Sequence, residues 1–219
     1  MKLDMVKTTL EQHRNPENAI PMANYMKNLF PYLGIKTPER RKLTREIFNK
    51  IGIKKEPFDE AFVLGLWELP EREYQYLALD YLAKSVKKLN KQHIGLIQTL
   101  ITTKSWWDTV DLLAANIAGP VVAEAKELIP EVVDGWAHHE NMWLRRSAIL
   151  IQLKYKQETD ADLLYRYIVA NADSQEFFIQ KAIGWALREY SKTNPDSVKQ
   201  FINSHTLKPL SVREGSKYI

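Results

Sequence analysis

Cysteine is absent from this chain of 219 residues, which excludes disulfides, thiol nucleophiles and any metal site built on thiolates. Histidine is the remaining soft ligand, and there are only five. His138 and His139 are neighbours that a helix would point about 100° apart, a poor chelate, so they are read as surface residues. No metal and no cofactor is expected. Glycine is scarce at eight residues, and no alternating apolar run is long enough to specify a strand. No stretch approaches the ~18 apolar residues that a membrane span requires, and the opening Met1-Lys2-Leu3-Asp4 carries no apolar signal region. These absences lead to the expectation of an all-α, cytoplasmic protein with no membrane partner.

What remains is a globular composition, 45% hydrophobic and 26% charged, at a length that suits one domain over 1–219. A net charge of +4 and a pI near 9.0 suit a polyanionic partner without requiring one. Helices are expected over 2–14 and then through Pro21, Met22, Tyr25, Met26, Leu29 and Phe30. Another begins with Thr37 as N-cap and Pro38 at the first helical position. Further helices follow at about 58–68, 71–87, 91–103, 105–118, 121–137, 141–156, 160–172, 175–192, 195–204 and 210–219, all on short connections.

Chemistry concentrates in Ser105-Trp106-Trp107-Asp108-Thr109-Val110-Asp111. Ser105 with Asp108 three residues on reads as a capping box, and Trp106, Val110, Leu113 and Ile117 form a candidate buried stripe. Trp107 and Asp111, four apart, stack on the neighbouring face and put a flat apolar surface one turn before an anion. Such a face can hold a flat cation.

Written in a register of 35 residues, the helices place Arg41, Tyr76, Asp111, Arg146 and Lys181 in one column. Helix-pair repeats of about 34–47 residues stack into solenoids with a curved inner face. Arg40, Arg41, Arg145, Arg146, Lys181 and Arg188 would make that concave groove basic. Asp111 is then an acid among bases. It is either a structural ion pair between repeats or an anion set in a phosphate-binding groove, where it weakens binding unless it does chemistry. Trp185 lies between Lys181 and Arg188 at helical spacing, which suits either core packing or a platform for a sugar or base. Trp67, Trp136 and Trp143 are assigned to the core, whereas Tyr25, beside the Met22, Met26, Leu29 stripe, is ambiguous and could simply be its edge.

Five segments carry a resemblance. Ala23-Asn24-Tyr25-Met26-Lys27-Asn28, Gly34-Ile35-Lys36-Thr37-Pro38-Glu39-Arg40-Arg41, Thr103-Lys104-Ser105-Trp106-Trp107-Asp108, Trp143-Leu144-Arg145-Arg146 and Phe177-Phe178-Ile179-Gln180-Lys181-Ala182-Ile183-Gly184-Trp185 resemble, in order, the AlkD-type DNA alkylation-repair family. That family comprises DNA glycosylases built as α-solenoids of HEAT-like repeats, which remove cationic N3- and N7-alkylated purines from duplex DNA. The resemblance implies that Asp111 is the catalytic carboxylate and that Trp107 and Trp185 pack around the damaged nucleotide. It also implies that Tyr25 lines the same cleft and that Arg146 and Arg188 contact the DNA backbone, beside the basic residues Arg40, Arg41 and Lys181.

The residues are compatible with that activity. An alkylated purine already carries positive charge, so its departure needs no general acid. One carboxylate can then stabilise the oxocarbenium-like sugar and orient water. An indole face favours a cation by ~0.5–2 kcal/mol. No lysine is placed as an obvious Schiff-base nucleophile, so a monofunctional glycosylase leaving an abasic site is expected, and a monomer needs no extra assumption. The competing expectation is a non-catalytic helical-repeat module that binds DNA or a protein, with Asp111 in a structural ion pair.

Overall fold

The computed structural model describes residues 2–219, and all regular structure among them is helical. The chain forms two compact units, Met1–Leu89 and Asn90–Ile219. No helix among the described residues is long and apolar enough to cross a membrane.

The first unit contains α1 (Lys2–Glu11), α2 (Pro16–Tyr25), α3 (Thr37–Lys50), α4 (Glu60–Glu68) and α5 (Arg72–Ser85). Asn15 starts α2 by accepting the Asn18 amide on its side chain, with Pro16 in the first turn, where a missing N–H costs nothing. The helix ends at Tyr25, short of the expected Phe30. Lys27 and Asn28 adopt φ of 58° and 56°, and the Asn28 amide turns back to the Ala23 carbonyl at 2.8 Å, a left-handed termination that asparagine tolerates. Thr37 is the first residue of α3, with Lys36 as its cap, one position earlier than expected.

The segment between α2 and α3 is fixed by one carboxylate. Glu73, fully buried in α5, accepts the consecutive amides of Leu33, Gly34 and Ile35 at 3.0, 2.9 and 3.1 Å. Burial raises its carboxyl above the ordinary range, and those three amides pull the other way. Its neighbour Arg72 is also fully buried, with its guanidinium 3.8 Å from the centre of the Phe30 ring. Gly34 makes the turn possible, because its φ is +88° and an added Cβ would lie 1.9 Å from the Asn15 carbonyl oxygen.

The second unit contains α6 (Ile94–Thr102), α7 (Trp107–Leu112), α8 (Gly119–Glu124), α9 (Asp134–Ala137), α10 (Met142–Leu150), α11 (Ala161–Val169), α12 (Phe177–Ser191), α13 (Pro195–Ser204) and α14 (Pro209–Gly215). The helix break expected at Gly119-Pro120 is not there. A π-helical stretch, Leu113–Ala118, joins α7 to α8, and its wider turn accommodates the proline that an unbroken α-helix would reject. The chain instead leaves the helix at Ala125 (φ −132°, ψ 75°), and a second π-helical stretch, Ile129–Val133, leads into α9.

The repeat register is visible in the side-chain bonds. Within this unit Asp111 meets Arg146, Asp134 meets Tyr167, the Ala137 carbonyl meets Asn171 and Tyr165 meets Ser197, pairs 35, 33, 34 and 32 residues apart. Trp136 is 2% exposed and donates its indole N–H to Gln98 at 2.8 Å, while Trp67 and Trp143 are buried as expected.

Replacing Gly34 by alanine forces a left-handed non-glycine residue into contact with backbone. A loss of more than about 1–2 kcal/mol is expected, the cost of the backbone conformation alone. It should appear as a lower denaturant midpoint with an unchanged m-value.

Candidate functional site

The start of α7 differs from a capping box. Ser105 turns away from the new helix and donates its hydroxyl to the Ile101 carbonyl at 2.6 Å, closing the end of α6. The cap position is Trp106 in extended backbone (φ −160°, ψ 162°), with no side-chain cap hydrogen bond. Trp106 therefore lies outside the helical stripe, whose other members Val110, Leu113 and Ile117 are buried. Its half-buried ring meets Phe178 edge-on at 4.9 Å and Trp143 at 5.7 Å, and its buried indole N–H has no hydrogen-bond partner among the described residues. Aromatic packing, worth about 0.5–1.5 kcal/mol per ring pair, fixes this end of α7.

Asp111 stands one turn into that helix. The Arg146 guanidinium, carried by α10, donates to both of its oxygens, Nε to Oδ1 at 2.7 Å and Nη2 to Oδ2 at 2.9 Å. The remaining terminal nitrogen of Arg146 donates to the Phe178 carbonyl in α12, whose ring centre lies 5.8 Å from the guanidinium carbon. The side chains are 5% exposed for Arg146 and 14% for Asp111, so the pair is sheltered while the carboxylate keeps an open edge. Burial pushes the Asp111 carboxyl above the ordinary aspartate range, and Arg146 opposes that rise by its hydrogen bonds and its charge. Three elements thus hold one carboxylate. Arg146 braces Asp111, with 5% of its own side chain exposed.

Trp107, half-buried, precedes Asp111 by one turn of α7. Trp185 is half-buried on α12, the helix that supplies the Phe178 carbonyl, with Lys181 one turn before it and Arg188 one turn after. Tyr25, 71% exposed at the end of α2, and Arg40 and Arg41 in α3 belong to the first unit. Arg40 is buried, donates to Asp80 at 2.8 Å and stacks over the Tyr76 ring at 4.9 Å, whereas Arg41 is exposed.

The expected basic column is thus substantially paired. Arg145 donates to the carbonyls of His139 and Glu140 at 2.7 and 2.9 Å. Lys181 and Arg188 both reach Glu214 in α14, at 3.3 and 3.0 Å. Sequence reasoning missed Glu214, Asp80 and the Phe178 carbonyl. Glu214 had a faint signal: the next row of the 35-residue register after Lys181 falls at position 216, two residues away.

Comparison with known proteins adds a family to this geometry. The model of the family described as DNA alkylation repair enzyme matches residues 6–219, which include every site residue named above. The chain belongs to that family. Among solved structures, a predicted DNA alkylation repair enzyme from Enterococcus faecalis is 37% identical, covers 94% of this chain and 96% of its own, and superposes with a TM-score of 0.86. The protein smu.31 from Streptococcus mutans UA159 shares the fold at 18% identity and a TM-score of 0.58, over 82% of this chain and 97% of its own. No curated protein matches.

For this DNA alkylation repair family member, Arg146→Met should strand the Asp111 carboxylate in its shelter and cost about 3–5 kcal/mol at neutral pH. Without the guanidinium the folded-state pKa of Asp111 rises further above its unfolded value, so the folded form binds the extra proton. The deficit relative to wild type should therefore shrink as pH falls toward the unfolded aspartate value. Denaturant titrations across pH would show this, and a deficit independent of pH would contradict it.

Proposed function

We propose that the protein is a DNA glycosylase that hydrolyses the N-glycosidic bond of cationic N3- and N7-alkylated purines, 3-methyladenine and 7-methylguanine among them, in duplex DNA, as a first step of base excision repair. The observation that carries this reading is the braced carboxylate. Asp111 is oriented by two hydrogen bonds from Arg146, keeps part of its surface open, and follows a half-buried tryptophan by one turn. Family membership supplies the damaged-DNA context.

The mechanism needs little else. Alkylation at N7 or N3 makes the purine a cationic leaving group, so the glycosidic bond breaks without protonation by the enzyme. Positive charge then migrates to the deoxyribose as it becomes oxocarbenium-like. A carboxylate already fixed in place stabilises that charge without reorganising, and it accepts a hydrogen bond from the attacking water. Arg146 is a positioning residue: it sets the orientation of Asp111 and keeps its pKa from rising further. Trp107 and Trp185 offer faces to the cationic nucleotide and its sugar. Water adds at the anomeric carbon and gives up one proton to solvent, and the products are the free alkylated base, now neutral, and an abasic site. Tyr25, Arg40, Arg41, Arg146, Lys181 and Arg188 face DNA in this reading, Arg40 and Arg146 while also paired with Asp80 and Asp111.

The ion pair itself favours one second reading, a non-catalytic helical-repeat module in which Asp111 and Arg146 only join adjacent repeats. Loss of stability in Asp111→Asn does not separate the two, because the substitution removes half of a sheltered pair in either case. Release of free base does. Methylated duplex DNA incubated with wild type should yield 7-methylguanine and 3-methyladenine by chromatography. Asp111→Asn, assayed where it remains folded, should lose at least about 100-fold in single-turnover rate while retaining DNA affinity. Because burial lifts the Asp111 carboxyl, the wild-type rate should fall with acidification at a pH above the ordinary aspartate range. Absence of release by folded wild type would leave the module reading.

A further inference from the structure

Glu214 is the least expected charged residue in the chain. It is 6% exposed, yet four cationic side chains converge on its two oxygens. Lys181 and Arg188 come from α12 at 3.3 and 3.0 Å, Lys217 from just beyond α14 at 2.8 Å, and Arg213 from α14 at 3.8 Å. One carboxylate against four cations leaves an excess of three positive charges in this cluster. The carboxylate is sheltered while the bases are not: their side chains are 37% exposed for Lys181, 26% for Arg188, 73% for Arg213 and 48% for Lys217.

Close packing against α12 holds α14 in position, so the cluster is not an accident of long side chains. A Cβ added to Gly184 would lie 2.5 Å from the Glu214 Cβ, which means that glycine lets α12 and α14 touch. Ser211, fully buried, donates its hydroxyl to the Gln180 carbonyl at 3.0 Å. Lys217, together with Lys181, holds the Glu214 carboxyl well below the ordinary range, at about 2. It is therefore an anion at neutral pH.

We propose that Lys181, Arg188, Arg213 and Lys217 form a subsite for the phosphodiester backbone of duplex DNA, and that Glu214 is its internal counter-anion, organising the four bases and restraining their affinity for phosphate. The proposal rests on the reading that this protein acts on DNA, and it extends the DNA-facing surface from α12 onto α14. A phosphate arriving at the exposed heads offers them a second anion without removing the first. The bases need little rearrangement, because Glu214 already gathers them. The same carboxylate repels the phosphate, which weakens sequence-independent binding and with it retention on undamaged DNA.

The test measures affinity for an undamaged fluorescent duplex by anisotropy as a function of salt. Glu214→Gln should bind several-fold tighter than wild type, with the slope of log K against log salt steeper by about one. Glu127→Gln changes net charge by the same amount and frees Lys91 from an exposed pair, so it separates a local effect from a global one. Equal behaviour of the two variants, or weaker binding by folded Glu214→Gln, overturns the proposal. If Glu214→Gln does not fold, the exposed pair of substitutions Arg213→Gln and Lys217→Gln decides. Each should weaken binding and flatten the slope by about one, and unchanged values overturn the subsite. Base release from methylated duplex by wild type, measured alongside, keeps the readings apart. Salt slopes as expected without release retain the subsite and reject the glycosylase, and release with unmoved slopes does the reverse.

Discussion

A carboxylate removed from water is stable only if its charge is answered locally, and this fold answers it by joining one repeat to another. Asp111 in α7 is answered by Arg146 in α10, which is tied in turn to the Phe178 carbonyl of α12. Removing either Asp111 or Arg146 would leave the other with unpaired polar groups. The site is therefore part of the frame that holds the repeats in register. That double duty also explains why a single acid can serve a reaction of the proposed kind. Its orientation is set by folding, before any substrate arrives.

The same device recurs with different partners. Glu73 spends its charge on three consecutive amides and fixes the path between α2 and α3. Glu214 spends its charge on four basic side chains. In the first case the carboxylate is fully enclosed and its role is architectural. In the second the bases reach solvent, and in the third, Asp111, the carboxylate itself keeps an open edge. In the second and third arrangements the exposed partner is the one available to a ligand.

Much of this was legible in the sequence, for identifiable reasons. Helical spacing of apolar residues, few glycines and short connections led to an all-α fold, and the 35-residue register put Asp111 and Arg146 in one column, where they do meet. Local signals were weaker guides. Ser105 has the composition of a cap and serves the preceding helix, and Pro120 has the composition of a break and sits in a helix relaxed by a π turn. What could not be read was pairing between residues distant in sequence but not at the register. A column of bases looks like free charge until Asp80 and Glu214 are placed against it. Arg146 illustrates the point: the register set it beside Asp111, whereas its further bond to the Phe178 carbonyl had no signal in the sequence.

The order of α12 and α14 along the chain has a consequence for synthesis. Residues through α12 are enough to assemble the Asp111, Arg146 and Phe178 triad, and these emerge from the ribosome before α14 does. Until α14 follows, Lys181 and Arg188 lack the counter-charge of Glu214, beside a particle made largely of RNA. Docking of α14 thus ends an interval in which the nascent protein is at its most adhesive to nucleic acid.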